Sequence, residues 1–182
     1  MRLILIRHGQ TPANVDGVLE STVPGPGLTE LGETQAAELV EALADQPIDA
    51  LFVSTMVRTH LTAAPLAAAR GLEPIERSDL REVEAGDVEG NTDEASVHQY
   101  VHTLFTWAGG DLDVRMPGAQ TGREVIDRFD AVVTEAESLG VENVALVSHG
   151  AIIRAWCGVR TANVDHEFIR EHYVVNTGIV IV

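Results

Sequence analysis

Two short apolar runs, Leu3–Ile6 and Val144–Val147, each lead into a junction that delivers a histidine followed by a glycine, His8-Gly9 and His149-Gly150. Apolar runs of this length, bounded by turn signals, read as buried strands, and strands buried on both faces belong to sheets with helices on each side. In open sheets of that kind ligands bind at the carboxyl ends of the strands. Arg7 and His8 stand at such an end, and Gly9, lacking a Cβ, permits a tight turn or a close ligand approach.

The rest of the chain alternates in the same sense. Residues 12–28, rich in proline and glycine, read as loop. Thr29 is the expected N-cap of a helix over about 30–45, with Leu31, Ala36, Leu39, Val40 and Leu43 on its apolar face and Pro47 closing the segment. Ile48–Val53 reads as a second strand, after which Ser54-Thr55 opens a helix over about 56–69. Glu73–Ile75 reads as a third strand, and further helices are expected over about 93–107 and over 122–138, the latter capped by Thr121. Another helix begins near Ala151, and Gly178–Val182 reads as the last strand. Alternating strands and amphipathic helices imply an α/β fold, a three-layer α/β/α sandwich on a mostly parallel sheet. We expect one domain over residues 1–182, with an inserted, lid-like segment at about 86–120.

Charge narrows the partners. The 182 residues hold 28 acids and 12 bases, every base an arginine, for a net charge of −16. That balance opposes nonspecific nucleic-acid binding and attraction to anionic membranes, so any anion site must be a local cluster of Arg and His. A single cysteine, Cys157, excludes an intrachain disulfide and a cysteine metal cluster. His98 and His102 are four apart on one helical face but lack carboxylate or thiolate support, so no metal is expected; lining a substrate pocket is the other reading. With no leader pattern and no apolar run of roughly 20 residues, a soluble cytoplasmic protein is expected.

Several further residues are candidates for a site. Arg58 falls in the first turn of a helix, where exposed N–H groups favour anions; a cation there makes sense if the anion belongs to a ligand. His149 likewise precedes a helix, and Asn14 is either a turn residue or an amide donor to an anion beside His8. The stretch Leu80–Gly90 is rich in glutamates, one of which, half-buried, suits general acid work. Spacing alone does not select it.

These blocks resemble the histidine phosphatase superfamily, of phosphoglycerate-mutase-like fold, over essentially the whole chain. The likeness rests on Leu5-Ile6-Arg7-His8-Gly9-Gln10-Thr11 with Asn14, then Leu28-Thr29-Glu30-Leu31-Gly32, Ser54 with Arg58-Thr59, Leu80-Arg81-Glu82, and Ser148-His149-Gly150. It implies a metal-independent phosphomonoester hydrolase acting on a small phosphorylated substrate, with no cofactor. His8 matches the nucleophile that becomes phosphohistidine, and Arg7, Arg58 and His149 match the groups that hold the phosphoryl oxygens. Asn14 matches a phosphate-pocket residue. Glu82 matches the general acid, with Glu84 the lesser candidate. Pro117-Gly118-Ala119-Gln120-Thr121 departs from the family's Pro-Gly-Gly-Glu-Ser, which loosens any transfer of substrate contacts. The family usually continues past a strand like Gly178–Val182 into another. A phosphoglycerate mutase, a phosphohistidine protein phosphatase and a non-catalytic phospho-ligand binder are the alternatives, and a homodimer is left open.

Overall fold

A computed structural model describes residues 1–164 and 166–182 of the chain. β1 (Arg2–Arg7), β2 (Ala50–Val53), β3 (Ile75–Glu76), β4 (Asn143–Ser148) and β5 (Ile179–Ile181) form one sheet in the order β3-β2-β4-β1-β5. The first four run parallel, and β5 lies antiparallel on the β1 edge. In the β1–β4 register Arg7 stands opposite Ser148, so His8 and His149 leave adjacent strand ends at the same level.

Side chains alternate across a sheet covered on both faces, which is why the three central strands are apolar between their ends. Leu3, Leu5, Phe52, Val144 and Leu146 face one core, shared with α4 (Glu94–Ala108), α5 (Gly122–Ser138) and α6 (Gly150–Arg160) through Trp107, Phe129 and Ile152. Ile4, Ile6, Leu51, Val53, Ala145 and Val147 face the other, formed with α2 (Glu30–Ala42) and α3 (Val57–Arg70) through Leu39, Ala63 and Leu66. This is the three-layer sandwich expected. Segment 86–120 contributes α4, whose Trp107 is fully buried and donates its indole N–H to the Val114 carbonyl at 2.8 Å.

Thr29 and Thr121 cap α2 and α5, the latter in a reciprocal box with Glu124. Two of the described α-helices have no counterpart in the sequence reading. α1 (Pro12–Asp16) buries no residue, so it leaves no apolar periodicity; its mark is Thr11 as N-cap followed by proline at the first helical position. α7 (His166–Glu171) is also short, with one turn of apolar spacing at most. The expected opening of α3 at Ser54-Thr55 is corrected: Met56 is the N-cap and no side chain caps it. The Ser54 hydroxyl does accept the Met56 N–H at 3.2 Å, but it is also engaged by His149. Among the described residues, no helix is long and apolar enough to cross a membrane.

Candidate active site

His8 and His149 face one another with ring centroids 5.2 Å apart and planes tilted by 58°. Both rings are buried, His8 to 3% exposure. His8 Nδ1–H donates to the Gly9 carbonyl at 2.7 Å; a carbonyl only accepts, so the neutral ring keeps its lone pair on Nε2. Burial pushes the His8 pKa down to about 3, reinforced by the charges of Arg58 and Arg7 and opposed by the Gly9 hydrogen bond. Gly9 earns its place by a close approach: an added Cβ would stand 2.7 Å from the Gly32 carbonyl oxygen of α2. The close contact is with backbone.

The tautomer of His149 follows from its neighbours. Arg58 Nε–H donates to His149 Nδ1 at 3.2 Å, and an arginine offers only donors. The neutral ring therefore carries its proton on Nε2, 2.8 Å from Ser54 Oγ. Thr59 in turn gives its hydroxyl proton to the backbone carbonyls of Ser54 and Met56, leaving its oxygen to accept from Ser54. Burial, then His8 and Arg58, holds the His149 pKa well below the ordinary histidine value. Ser54 was part of the recognised block, but its bond to His149 was not legible in spacing.

Arg58 is buried, and its far end is occupied. Nη1 pairs with Glu20 Oε2 at 2.6 Å and Nη2 donates to the Glu20 carbonyl at 3.2 Å. Glu20 escaped the sequence reading because it lies in an irregular stretch with no spacing to single it out. The stretch is held in place by Glu89, whose carboxylate takes the Ser21 N–H at 2.8 Å and the Ser21 hydroxyl. Arg7 lies across the start of α6, where a Cβ on Gly150 would meet its Nε at 3.0 Å. Its Nη1 donates to the Val174 carbonyl at 2.8 Å, while its Nε is buried without a partner. Desolvation lowers the Arg7 pKa, against the charge of Glu82.

Asn14 sits at the same edge. Its Oδ1 accepts from the Thr11 N–H at 3.1 Å and from Asn176 Nδ2 at 3.0 Å, which leaves its own Nδ2 as the group with donors to offer. Glu82 reaches the N-terminus of α6: Oε2 accepts from the Ala151 N–H at 3.1 Å, and Oε1 accepts from Ile152 at 3.0 Å and Val83 at 2.9 Å. Glu84 points elsewhere, paired with Arg81 at 3.1 Å. A pocket of about 100 Å³ brings together Arg7, His8, Asn14, Glu20, Arg58 and Glu82, with Tyr100 on its wall. Arg128 of α5, also missed, sets the approach of Glu82. Its Nη1 donates to the carbonyls of Asp79 (2.6 Å) and Arg81 (2.7 Å), and its Nη2 to that of Glu82 itself (3.0 Å). A buried arginine in the second turn of an amphipathic helix reads, in sequence, as surface.

The remaining candidates fall outside this pocket. His98 and His102 stack on α4 at 5.8 Å and line a separate depression with Arg170. The Pro117–Thr121 departure supplies the α5 cap. Cys157 is buried, its thiol pushed up to about 12 by desolvation. Among the described residues, no group of three or more His, Cys, Asp or Glu side chains converges as metal ligands would.

Paired histidines at neighbouring strand ends, with arginines and a glutamate around a pocket of phosphoryl size, define an enzyme of phosphate-ester chemistry. The chain belongs to the histidine phosphatase superfamily (branch 1), whose sequence profile matches residues 3–182. Phosphoserine phosphatase 1 of Hydrogenobacter thermophilus is 28% identical over 156 residues, 85% of this chain and 74% of that protein. A mycobacterial glucosyl-3-phosphoglycerate phosphatase, solved in complex with VO3, superposes with a TM-score of 0.82 at 27% identity, covering 99% of this chain and 91% of the other. The PE-PGRS family protein PE_PGRS11 of Mycobacterium tuberculosis is 46% identical over 82 residues; that match spans 44% of this chain and only 14% of that protein. The family and the enzyme class expected from the sequence are thus borne out.

Proposed function

We propose that this protein hydrolyses phosphomonoesters of small metabolites through a phosphohistidine formed on His8, with no metal in the reaction. The observation that carries the reading is the His8 tautomer: Nδ1–H is tied to Gly9, so Nε2 presents a lone pair toward the pocket. In the first step Nε2 attacks phosphorus and the bond from phosphorus to the leaving oxygen breaks. Glu82, as the acid, gives that oxygen its proton. In the second step Glu82 takes a proton from water as the water oxygen attacks phosphorus. The phosphorus–nitrogen bond breaks, and His8 returns neutral.

The equatorial oxygens need electrostatic support more than covalent help. Arg7, Arg58 and the Asn14 amide supply donors at the pocket wall. His149 has no spare N–H in its neutral form, since Nδ1 accepts from Arg58. A phosphoryl dianion raises the affinity of that nitrogen for a proton; a proton brought in by a substrate monoanion breaks the Arg58 Nε–H bond to Nδ1 and turns His149 from acceptor to donor. The phosphoserine phosphatase and the glucosyl-3-phosphoglycerate phosphatase are named for small phosphorylated compounds, which supports the substrate class. We place its action in the cytoplasm, and a net charge of −16 supports the absence of nucleic-acid or anionic-membrane partners. Incubation with p-nitrophenyl phosphate tests the reading: wild type releases phosphate and His8→Ala does not. No release by the wild type between pH 4 and 8 contradicts it, and isomerised product dependent on 2,3-bisphosphoglycerate points to a mutase instead.

A further inference from the structure

Beside the phosphoryl pocket runs a second, larger space of about 410 Å³ that shares Arg7, Asn14 and Glu82 with it. The departing alcohol of a phosphate ester held against His8 has this groove to occupy. Its α4 wall is apolar, made by Val97, Val101 and Leu104. Beyond the groups shared with the phosphoryl pocket, the groove is also lined by the guanidinium of Arg154.

Arg154 is 6% exposed and, among the described residues, has no carboxylate partner. Its Nη2 donates to the Ile169 carbonyl, its Nε is buried without a partner, and its charge lies between the rings of Phe105 (5.4 Å) and Tyr173 (4.7 Å). In a chain with 28 acids, six of the other arginines pair with carboxylates. The acid in the groove, Glu82, spends both oxygens on backbone N–H groups. A buried cation without a counter-ion is costly unless something else supplies the anion.

Position says where that anion would sit. Gly150 lies against Arg7, and Arg154 follows it by four residues on α6, so both line the same helical face about 6 Å apart along the axis. That is the reach of a short carbon chain. We infer that Arg154 selects substrates whose leaving group carries a carboxylate, a few bonds from the ester oxygen and flanked by carbon on the α4 side. The proposal rests on the phosphatase reading and names its substrate class.

The test compares 3-phosphoglycerate with glycerol 3-phosphate, which differ in a carboxylate against a hydroxymethyl group, alongside p-nitrophenyl phosphate. The wild type should show a kcat/KM at least about tenfold higher for the carboxylate, the scale of one charge-assisted hydrogen bond. Arg154→Met should bring the ratio to near one, with the loss falling mainly on the KM for 3-phosphoglycerate, and Arg154→Lys should keep most of the preference. A wild type that hydrolyses p-nitrophenyl phosphate but does not distinguish the other two overturns the inference while leaving the phosphatase reading intact. No hydrolysis of any of the three overturns both. Equal losses on both natural esters in Arg154→Met also count against it. Because Arg154 holds Ile169, a thermal melt accompanies the variant; should it fail to fold, the wild-type ratio and the Lys variant decide.

Discussion

Glu20 and Arg58 meet inside the pocket, with Glu20 Oε2 2.6 Å from Arg58 Nη1. The charged residues lining the pocket are therefore two arginines, Arg7 and Arg58, and two glutamates, Glu20 and Glu82. Arg58 is paired before any ligand arrives, and an incoming phosphoryl group must share it with the Glu20 carboxylate or displace that carboxylate.

That competition has a definite sign. Glu20→Gln keeps a hydrogen-bond acceptor for Nη1 and removes the competing charge. Inhibition by inorganic phosphate should tighten about five- to tenfold, the scale of one partly screened charge interaction. Unchanged or weaker inhibition would show that Glu20 acts only by aiming Arg58.

The His8 ring is held neutral. An unfolded histidine titrates near 6.5, whereas folded His8 is pushed down to about 3. Between those values the unfolded chain binds a proton that the folded one refuses, so stability rises with pH across the window and is lost as pH falls below about 6.5. The ligand-free His8 resonance should show the Nδ1–H neutral tautomer from pH 8 to below 5. His8→Gln should lose less stability than wild type in urea melts between pH 7 and 4.5. A His8 midpoint near 6.5 contradicts both.

Arg128 acts at a distance from the reacting atoms, by gathering the carbonyls of Asp79, Arg81 and Glu82. Arg128→Leu leaves three carbonyls without that donor and frees the strand-like segment that presents Glu82. Alkyl phosphate turnover should fall about 10²-fold, the scale of a 1 Å misplacement, while aryl phosphates with good leaving groups fall much less. Equal losses on the two classes would assign Arg128 a purely structural part. A kcat/KM profile for alkyl esters that keeps its wild-type shape would say the same.

Residues that sit at the end of a periodic element were legible from sequence, and those fixed by three-dimensional hydrogen bonding were not. Arg7, His8 and His149 announce themselves because buried strands stop at them, and Arg58 because it opens the helix after β2. The choice between Glu82 and Glu84 needed coordinates: two residues apart, one reaches the N-terminus of α6 and the other turns to Arg81. Glu20 lies in an irregular stretch whose conformation is set by Glu89, sixty-odd positions away in sequence, so no local pattern marks it. For the same reason, spacing that marks Arg7 and Arg58 says nothing of the carboxylate paired with one of them.

The central claim is that the phosphoryl group passes through His8, and trapping that species tests it most directly. Rapid acid-free quenching of wild type with a ³²P-labelled monoester should leave label on the protein that survives alkali, is lost in acid and maps to His8. The His149→Ala protein should accumulate less of it, and His8→Ala none. Turnover by wild type with no labelled protein on the millisecond scale, or equal labelling of His8→Ala, would contradict the account.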